Sequence, residues 1–198
     1  MFNKNKKIFI HIFLLINITL TSVLADESIT LKVSQYLLNL NKFSCNFVQL
    51  NPDGSISEGK LIYSENKIKI NYTKPTKITF ISKKNKAMYF NEDLMEVHYF
   101  NPEKTAYDIF KLIFKLEELP LKSYDIIEET GLIKIDLFDL PNDEILNFNI
   151  LLQNNPIELK KIRWSSQEGR SSFSIFNIST DIEINKDTFS MVHPLINN

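Results

Sequence analysis

Histidines and paired carboxylates are the residues of this 198-residue chain whose chemistry suits metal binding or catalysis. Beyond residue 25 the histidines are His98 and His193, and neither has a second ligand at a spacing such as H-x-x-x-H. We interpret both as polar strand or loop residues. The sequence therefore predicts no metal site.

The pairs Asp125 with Glu128 and Asp136 with Asp139 are candidates for general acid and base catalysis. Polar positions on a solvated strand face explain the same spacing. The serines lack a G-x-S-x-G turn, and the four glycines form no phosphate-binding loop. We expect a protein that is not an enzyme and uses no cofactor.

The only cysteine, Cys45, shares a strand face with Phe43 and Phe47. A lone cysteine among such neighbours is typically a small core residue and not a nucleophile. Because one thiol cannot form an internal disulfide, stability must come from an ordinary hydrophobic core, which this chain length permits.

Short alternating runs separated by turn residues dominate the chain from Glu58 to Pro102. Polar and apolar residues alternate strictly from Lys67 to Tyr72, which is typical of a strand with one solvated face. Turns such as Glu65-Asn66 and Lys84-Asn85 are too short for parallel crossovers. The pattern predicts an antiparallel meander, preceded by an amphipathic helix between Ile29 and Leu40 and a strand from Phe43.

A second meander is predicted over residues 124–129, 132–139, 145–152, 159–165 and 170–178. Together the two halves give about ten or eleven strands, more than one twisted sheet holds flat. We therefore expect a mainly β fold with a helical lid (α+β), in which an incomplete, strongly curved antiparallel β-barrel is covered by helices. Its inner face is expected to line a cavity with Phe47, Ile70, Tyr72, Phe80, Tyr89, Phe148 and Trp164.

The predicted lid is a helix from Ala106 to Leu116, in which the polar residues are confined to a narrow stripe. Its apolar arc is about twice that of a helix on the surface of a single core. The lid residues are Ile109, Phe110, Ile113 and Phe114. A helix packed between the sheet and loops would show the same pattern.

Residues 1–25 have the composition of a cleaved export signal, because three lysines precede an apolar run that ends at Val23-Leu24-Ala25. The apolar run is shorter than a membrane span requires. Removal of these residues leaves 20 basic and 24 acidic residues, a net charge of −4. This balance argues against a nucleic-acid partner. We expect one domain over residues 26–198.

Several short motifs follow one another in a fixed order along the chain. They are Phe47-Val48-Gln49, the Asp53-Gly54 turn, Glu58-x-Lys60-Leu61, Lys69-Ile70-Asn71-Tyr72 before Lys74-Pro75, the segment from Tyr89 to Leu94 with Val97, Arg170-Ser171-Ser172-Phe173, and Asn185-x-x-x-Phe189 followed by Pro194. In order and spacing they resemble the outer-membrane lipoprotein carrier (LolA) family. The resemblance covers nearly all of the chain after residue 25.

The resemblance implies a monomeric periplasmic carrier that holds lipoprotein acyl chains in a hydrophobic cavity. Its partners would be an inner-membrane ABC-type lipoprotein-releasing complex and an outer-membrane acceptor. Relatives often have Arg-Pro where this chain has Ser64-Glu65, so Lys69 is a weaker candidate for holding the lid shut. A lipid- or lipoprotein-sensing regulatory domain of the same fold and a lipid hydrolase are the alternative functions.

Export predicts cleavage after Ala25, and N-terminal sequencing of the protein from a periplasmic extract should find Asp26 as the first residue. Recovery of a form that begins near Met1 and stays in the membrane fraction would contradict this prediction.

Overall fold

The computed structural model describes residues 29–102, 113, 123–138, 140 and 145–193. The chain divides into two compact units, Met1–Gln35 and Tyr36–Asn198. The single domain over residues 26–198 and the export signal stay predictions, because residues 1–28 lie outside the described part. Within the described residues, no helix has the length and hydropathy that a membrane span requires.

A helix spans residues 29–39, as the spacing of its apolar residues predicts. All eleven strands follow it and lie in the second unit. They are β1 (Lys42–Leu50), β2 (Ile56–Ser64), β3 (Lys67–Lys74), β4 (Ile78–Lys83), β5 (Lys86–Asn91), β6 (Glu96–Phe100), β7 (Tyr124–Glu129), β8 (Leu132–Leu137), β9 (Ile145–Gln153), β10 (Glu158–Ser166) and β11 (Gly169–Ser179).

The strands form one antiparallel sheet in the order β6-β5-β4-β3-β2-β1-β11-β10-β9-β8-β7. The two predicted meanders are therefore confirmed, and they are joined by pairing of β1 with β11. Among the described strands, β6 and β7 are the edges and do not pair with each other, so the sheet does not close into a barrel.

The turns follow the predicted positions closely. Glu65 and Asn66 both have positive φ, 47° and 65°, which a two-residue hairpin of type I′ requires. The alternation that predicts β3 ends at Tyr72, whereas the strand continues through Lys74, because Lys74 pairs with Glu58 beyond a register shift in the β2–β3 ladder. Lys74 Nζ also lies 3.0 Å from Glu58 Oε2. Strand β8 ends at Leu137 and not at Asp139.

The sheet has two faces with different cores. One, which we call the aromatic face, carries Phe47, Ile70, Phe80 and Phe148, all 1% exposed. The opposite face has a smaller core over β4 and β5. Its buried members are Ile81, Met88, Phe90 and Phe189, with Ile62, Val97, Ile184 and Met191 packed against them.

Tyr36, in the last turns of the helix, is anchored to the sheet by its hydroxyl group. The backbone N–H of Leu159 donates to Tyr36 Oη at 2.8 Å. Leu159 is fully buried and adjoins an irregularity in the β9–β10 register, where a ladder bond is interrupted. Burial raises the pKa of Tyr36 despite this bond.

Gly59 of β2 allows a close approach on the aromatic face. A Cβ at this position would lie 2.8 Å from Cζ of Phe47 and 2.9 Å from its Cε1, and it would collide with the carbonyl oxygen of Asn71. The absence of a side chain therefore lets the Phe47 ring approach the backbone of β2 closely.

We expect Tyr36→Phe to destabilise the protein by about 1–3 kcal/mol, because it leaves the buried Leu159 N–H without its acceptor. Urea unfolding measures the change. Tyr99→Phe is the matched control, since the Tyr99 hydroxyl donates to the Met191 carbonyl oxygen at an exposed site and its loss should cost less. An equal loss of stability in both variants would contradict the anchoring role.

Because the pKa of Tyr36 is raised in the folded protein, the folded state keeps its hydroxyl proton more tightly than the unfolded chain does. The free energy of unfolding is therefore expected to fall as pH rises above the ordinary tyrosine pKa of 10.0.

Gly59→Ala should lower the free energy of unfolding by about 1–3 kcal/mol, because the added methyl group displaces the Phe47 ring and a neighbouring strand. Lys60→Ala, at the next and exposed position, should change it by less than about 0.5 kcal/mol. Denaturant midpoints and near-ultraviolet circular dichroism report both effects. Unchanged stability in Gly59→Ala would show that the sheet relaxes freely at this point.

Candidate functional site

The strand register places all seven predicted cavity residues on the aromatic face. Cross-strand partners lie on the same face of a sheet. One row runs from Cys45 through Leu61, Ile70, Phe80 and Tyr89 to His98. A second row joins Phe47 to Tyr72 by way of Gly59, and a third joins Ser171 to Trp164, Phe148 and Leu137. The sheet thus presents one continuous apolar surface built from both meanders.

The seven residues on the aromatic face are buried to different degrees. Phe47, Ile70, Phe80 and Phe148 are buried, whereas Tyr72, Tyr89 and Trp164 are half-buried. His98, at the edge strand, is exposed and lies 3.8 Å from Glu96. The three half-buried aromatic residues are therefore the members of the predicted set that keep surface available for a ligand.

An aromatic cluster forms around Phe47, where the two meanders meet. Its ring stacks on Phe173 of β11 at a centroid distance of 4.1 Å and an angle of 21°. The ring of Tyr72 meets it edge-on at 5.3 Å and 85°. Both geometries are favourable for aromatic pairs. The cluster supplies a rigid apolar floor, and Phe173 was absent from the predicted cavity set.

A polar rim borders this floor. Tyr72 Oη donates to Gln49 Oε1 at 3.0 Å, and Gln49 Nε2 donates to Asn51 Oδ1 at 2.6 Å. Asn51 Nδ2 in turn donates to Ser57 Oγ at 3.1 Å. Gln49 was not predicted as a site residue, although the spacing in Phe47-Val48-Gln49 places it on the same face as Phe47. The rim satisfies polar groups beside an apolar surface, so it can orient the polar end of a bound molecule.

Cys45 lies within this face and is 1% exposed, as the core interpretation predicts. Burial raises the pKa of its thiol to about 12. Because the thiolate is the nucleophile and the metal ligand, the thiol is unreactive near neutral pH. Cys45 therefore contributes packing and no chemistry to the face.

The lid residues lie mostly outside the described part of the chain. Ile113 is helical and fully buried, whereas Ile109, Phe110 and Phe114 fall among residues that the structure does not describe. Lys69, the candidate latch, pairs with Ile62 and Ile81 on the opposite face. Its side chain therefore lies on the opposite side of the sheet from the aromatic face, where a lid would be held.

The candidate catalytic groups that the structure describes are solvated or paired. Asp136 binds Lys134 at 2.6 Å and accepts a hydrogen bond from Asn149 on the opposite face. Asp125 and Glu128 are exposed, and Asp139 lies outside the described residues. Within the residues that the structure describes, no cluster of three or more histidine, cysteine or acidic side chains can hold a metal ion.

Comparisons with known proteins give one family and several distant structures. The model of the family "Outer membrane lipoprotein carrier protein LolA" matches residues 38–192. No curated protein matches the chain.

Among solved structures, the complex of Pseudomonas aeruginosa MucA/MucB is 12% identical, with a TM-score of 0.44 and coverage of 81% of this chain and 59% of that chain. LolA superfamily protein NE2245 from Nitrosomonas europaea is 9% identical, with a TM-score of 0.43 and coverage of 83% and 97%. LprF from Mycobacterium bovis is 12% identical, with a TM-score of 0.43 and coverage of 82% and 96%.

The chain thus spans about 60% of the length of the MucB chains that it matches. The family match, in contrast, extends from the end of the first helix to the segment after β11 and includes every described strand. The chain belongs to the outer-membrane lipoprotein carrier (LolA) family.

Proposed function

We propose that this protein is a periplasmic carrier that binds lipoprotein acyl chains against the aromatic face and transfers lipoproteins from the inner to the outer membrane. The observation that carries the proposal is the register, which brings seven predicted apolar residues from six strands onto one surface. Membership of the LolA family supports the same function.

The driving force for cargo binding is the transfer of acyl chains out of water. Each buried methylene group contributes about 0.8 kcal/mol, so burial of part of one chain contributes several kcal/mol. Binding of this kind is non-directional and needs no cofactor. It also stays weak enough for release when only part of the chain is buried.

The proposed partners are an inner-membrane ABC-type releasing complex as the source of cargo and an outer-membrane acceptor as its destination. A regulatory sensor that binds a lipid or lipoprotein is the second candidate. Such a sensor would bind its ligand in the same cavity, but it would signal to a regulatory protein and would not transfer the ligand to an acceptor. Mass spectrometry of ligands that copurify from the periplasm, together with a transfer assay to acceptor membranes, distinguishes a carrier from a sensor.

Ligand binding is tested with an environment-sensitive apolar dye. The dye should bind, be displaced by a fatty acid and change the emission of Trp164, the only tryptophan. Tyr89→Ala should weaken dye binding about tenfold, because a buried aromatic side chain contributes about 1.5–3 kcal/mol and 1.4 kcal/mol corresponds to about tenfold in affinity.

Phe90→Ala is the matched control, since Phe90 follows Tyr89 on β5 but belongs to the core of the opposite face. It should lower stability by about 3–5 kcal/mol and leave dye affinity unchanged while the protein is folded. The proposal fails if no apolar ligand binds, or if the two variants change dye affinity equally.

A further inference from the structure

Both arginines of the chain line one groove, near the end of the sheet where β10 turns into β11. The chain has 23 lysines and arginines together, and two of them, Arg163 of β10 and Arg170 of β11, are arginines. The groove, which we call the arginine groove, has a volume of about 400 Å³. Its other described lining residues are mainly polar: Leu50, Asn147, Asn149, Trp164, Ser165, Ser171 and Ser172.

The strand register places both arginines on one face of the sheet. Arg163 is directly opposite Ser172, and Arg170 is directly opposite Ser165. Because Arg163 and Ser165 are two residues apart on β10, these two pairs share a face. Trp164, which lies between them in sequence, belongs to the aromatic face and only borders the groove. The arginines therefore lie on the face opposite to the aromatic face.

The two arginines are close enough to bind one ligand together. They are diagonal neighbours in the β10–β11 ladder, since Arg170 comes two residues before the partner of Arg163. Diagonal neighbours on one face are about 7–8 Å apart, a separation that long side chains can span. Each guanidinium group has a planar set of N–H donors that matches two oxygens of a phosphate group. Both forks can therefore donate to the same phosphate.

A neutral donor lies beside the arginines. Asn147 Nδ2 donates to Ser165 Oγ at 3.1 Å. The Ser165 hydroxyl group is an acceptor in this bond, so its own proton is available for another acceptor. A phosphate group has several strong acceptor oxygens and can accept from this hydroxyl group and from both arginines at once.

Nearby acidic side chains do not bind the arginines in the described part of the chain. Asp136 lies in the same row as Arg163, beyond Asn149. Its carboxylate is bound by Asn149 and by Lys134, whose Nζ lies 2.6 Å from Oδ2. Glu168, in the β10–β11 turn, is exposed. Within the residues that the structure describes, neither guanidinium group forms a hydrogen bond or an ion pair.

Gly169 holds the start of β11 against the turn between β1 and β2. Its φ is 136°, a conformation that favours glycine. A Cβ at this position would lie 3.2 Å from Cβ of Pro52. The backbone next to Arg170 is therefore set by close packing, and this packing positions Arg170 at the groove.

We propose that the arginine groove is a binding site for a phosphate group. The chain uses lysine at its other basic positions and has arginine at both basic positions of this groove. Lysine offers a point charge, whereas arginine binds phosphate through two parallel N–H donors. The inference goes beyond cargo binding and does not rest on it. A soluble phosphorylated compound and a phospholipid headgroup both supply this chemistry.

Nuclear magnetic resonance of the arginine Nε–H groups tests the proposal. With two arginines, the protein gives two such signals. Sodium phosphate, added at constant ionic strength, should shift both signals along one saturating curve, because both forks bind the same group. Sodium chloride at the same ionic strength should leave them in place.

Arg163→Gln should weaken phosphate binding at least about tenfold, as measured from the Arg170 signal, because a charged pair of hydrogen bonds is lost. Lys161→Gln is the matched control. Lys161 lies on β10 two residues before Arg163, on the same face but outside the described groove lining, and its loss changes the charge equally. It should leave phosphate affinity nearly unchanged.

Arg163→Lys keeps the charge and removes the planar fork, so it should not restore the affinity. Thermal unfolding shows whether the three variants are folded. The fluorescence of the bound apolar dye should be the same in all three, so a failure of this proposal is separable from a failure of the carrier function.

Two further probes identify the source of the phosphate group. Glycerol 3-phosphate represents soluble compounds, and phosphatidylglycerol vesicles present the group in a membrane. Cosedimentation with the vesicles that is lost in Arg163→Gln would assign the site to a lipid headgroup. Binding of glycerol 3-phosphate without cosedimentation would assign it to a soluble compound, and either result supports the proposal.

Four outcomes would overturn the proposal. Arginine signals that do not respond to phosphate would show that no site exists. Equal weakening in Arg163→Gln and Lys161→Gln would indicate a general effect of charge, and full affinity in Arg163→Lys would show that a point charge suffices. Binding of a polyglutamate peptide without a response to phosphate would indicate an acidic protein partner.

Discussion

The pairing of β1 with β11 is the constraint on which the rest of the structure depends. These strands are the innermost members of two meanders that are otherwise separate in sequence, and their ladder makes one sheet of eleven strands. The stacking of Phe47 on Phe173 crosses this junction. Because the contact joins distant segments, it costs more chain entropy to form than any hairpin in the sheet. Once it forms, the apolar sides of both meanders become one surface.

That surface differs from an ordinary core in the way its burial varies. The centre, around Phe47 and Phe173, is buried and cross-packed by aromatic contacts, whereas Tyr89 and Trp164 keep part of their rings accessible. A surface that is rigid in the middle and accessible toward its borders can accept an apolar chain without losing its fold. The polar rim at Gln49 and Tyr72 marks where such a chain would meet water.

The opposite face of the sheet is apolar in one half and polar in the other. Over β4 and β5 it is closed by Phe189, a residue outside the strands. Over β8 to β10 it carries polar groups such as Asp136 and Asn149. The segment that contains Phe189 thus completes a second, smaller core, and the backbone carbonyl of Phe189 accepts a hydrogen bond from Lys83 Nζ at 3.1 Å. Apolar packing and charge placement depend there on the same residues.

The sequence by itself determined the strands, the turns and which side chains share a face. Successive side chains of a strand point to opposite faces of the sheet, so alternation of polar and apolar residues indicates which residues share a face. For this reason the seven residues proposed for the cavity could be assigned to one face before any pairing was known, and the motifs from Phe47 to Phe189 were sufficient to indicate the family.

Only the tertiary structure decided which strands are neighbours and what lies across from each residue. The alternation in Lys67, Lys83 and Lys86 predicts solvated positions, but it contains nothing about their alignment in one row, which depends on register between strands. Gly59 likewise has no local signature, because the need for it arises from the Phe47 ring on a neighbouring strand. Phe189 closes the second core from a segment without regular structure, where no periodicity exists to reveal it. The physical reason is the same in all three cases: local patterns fix which way a side chain points, whereas contacts between distant segments are fixed by the packing of the whole sheet.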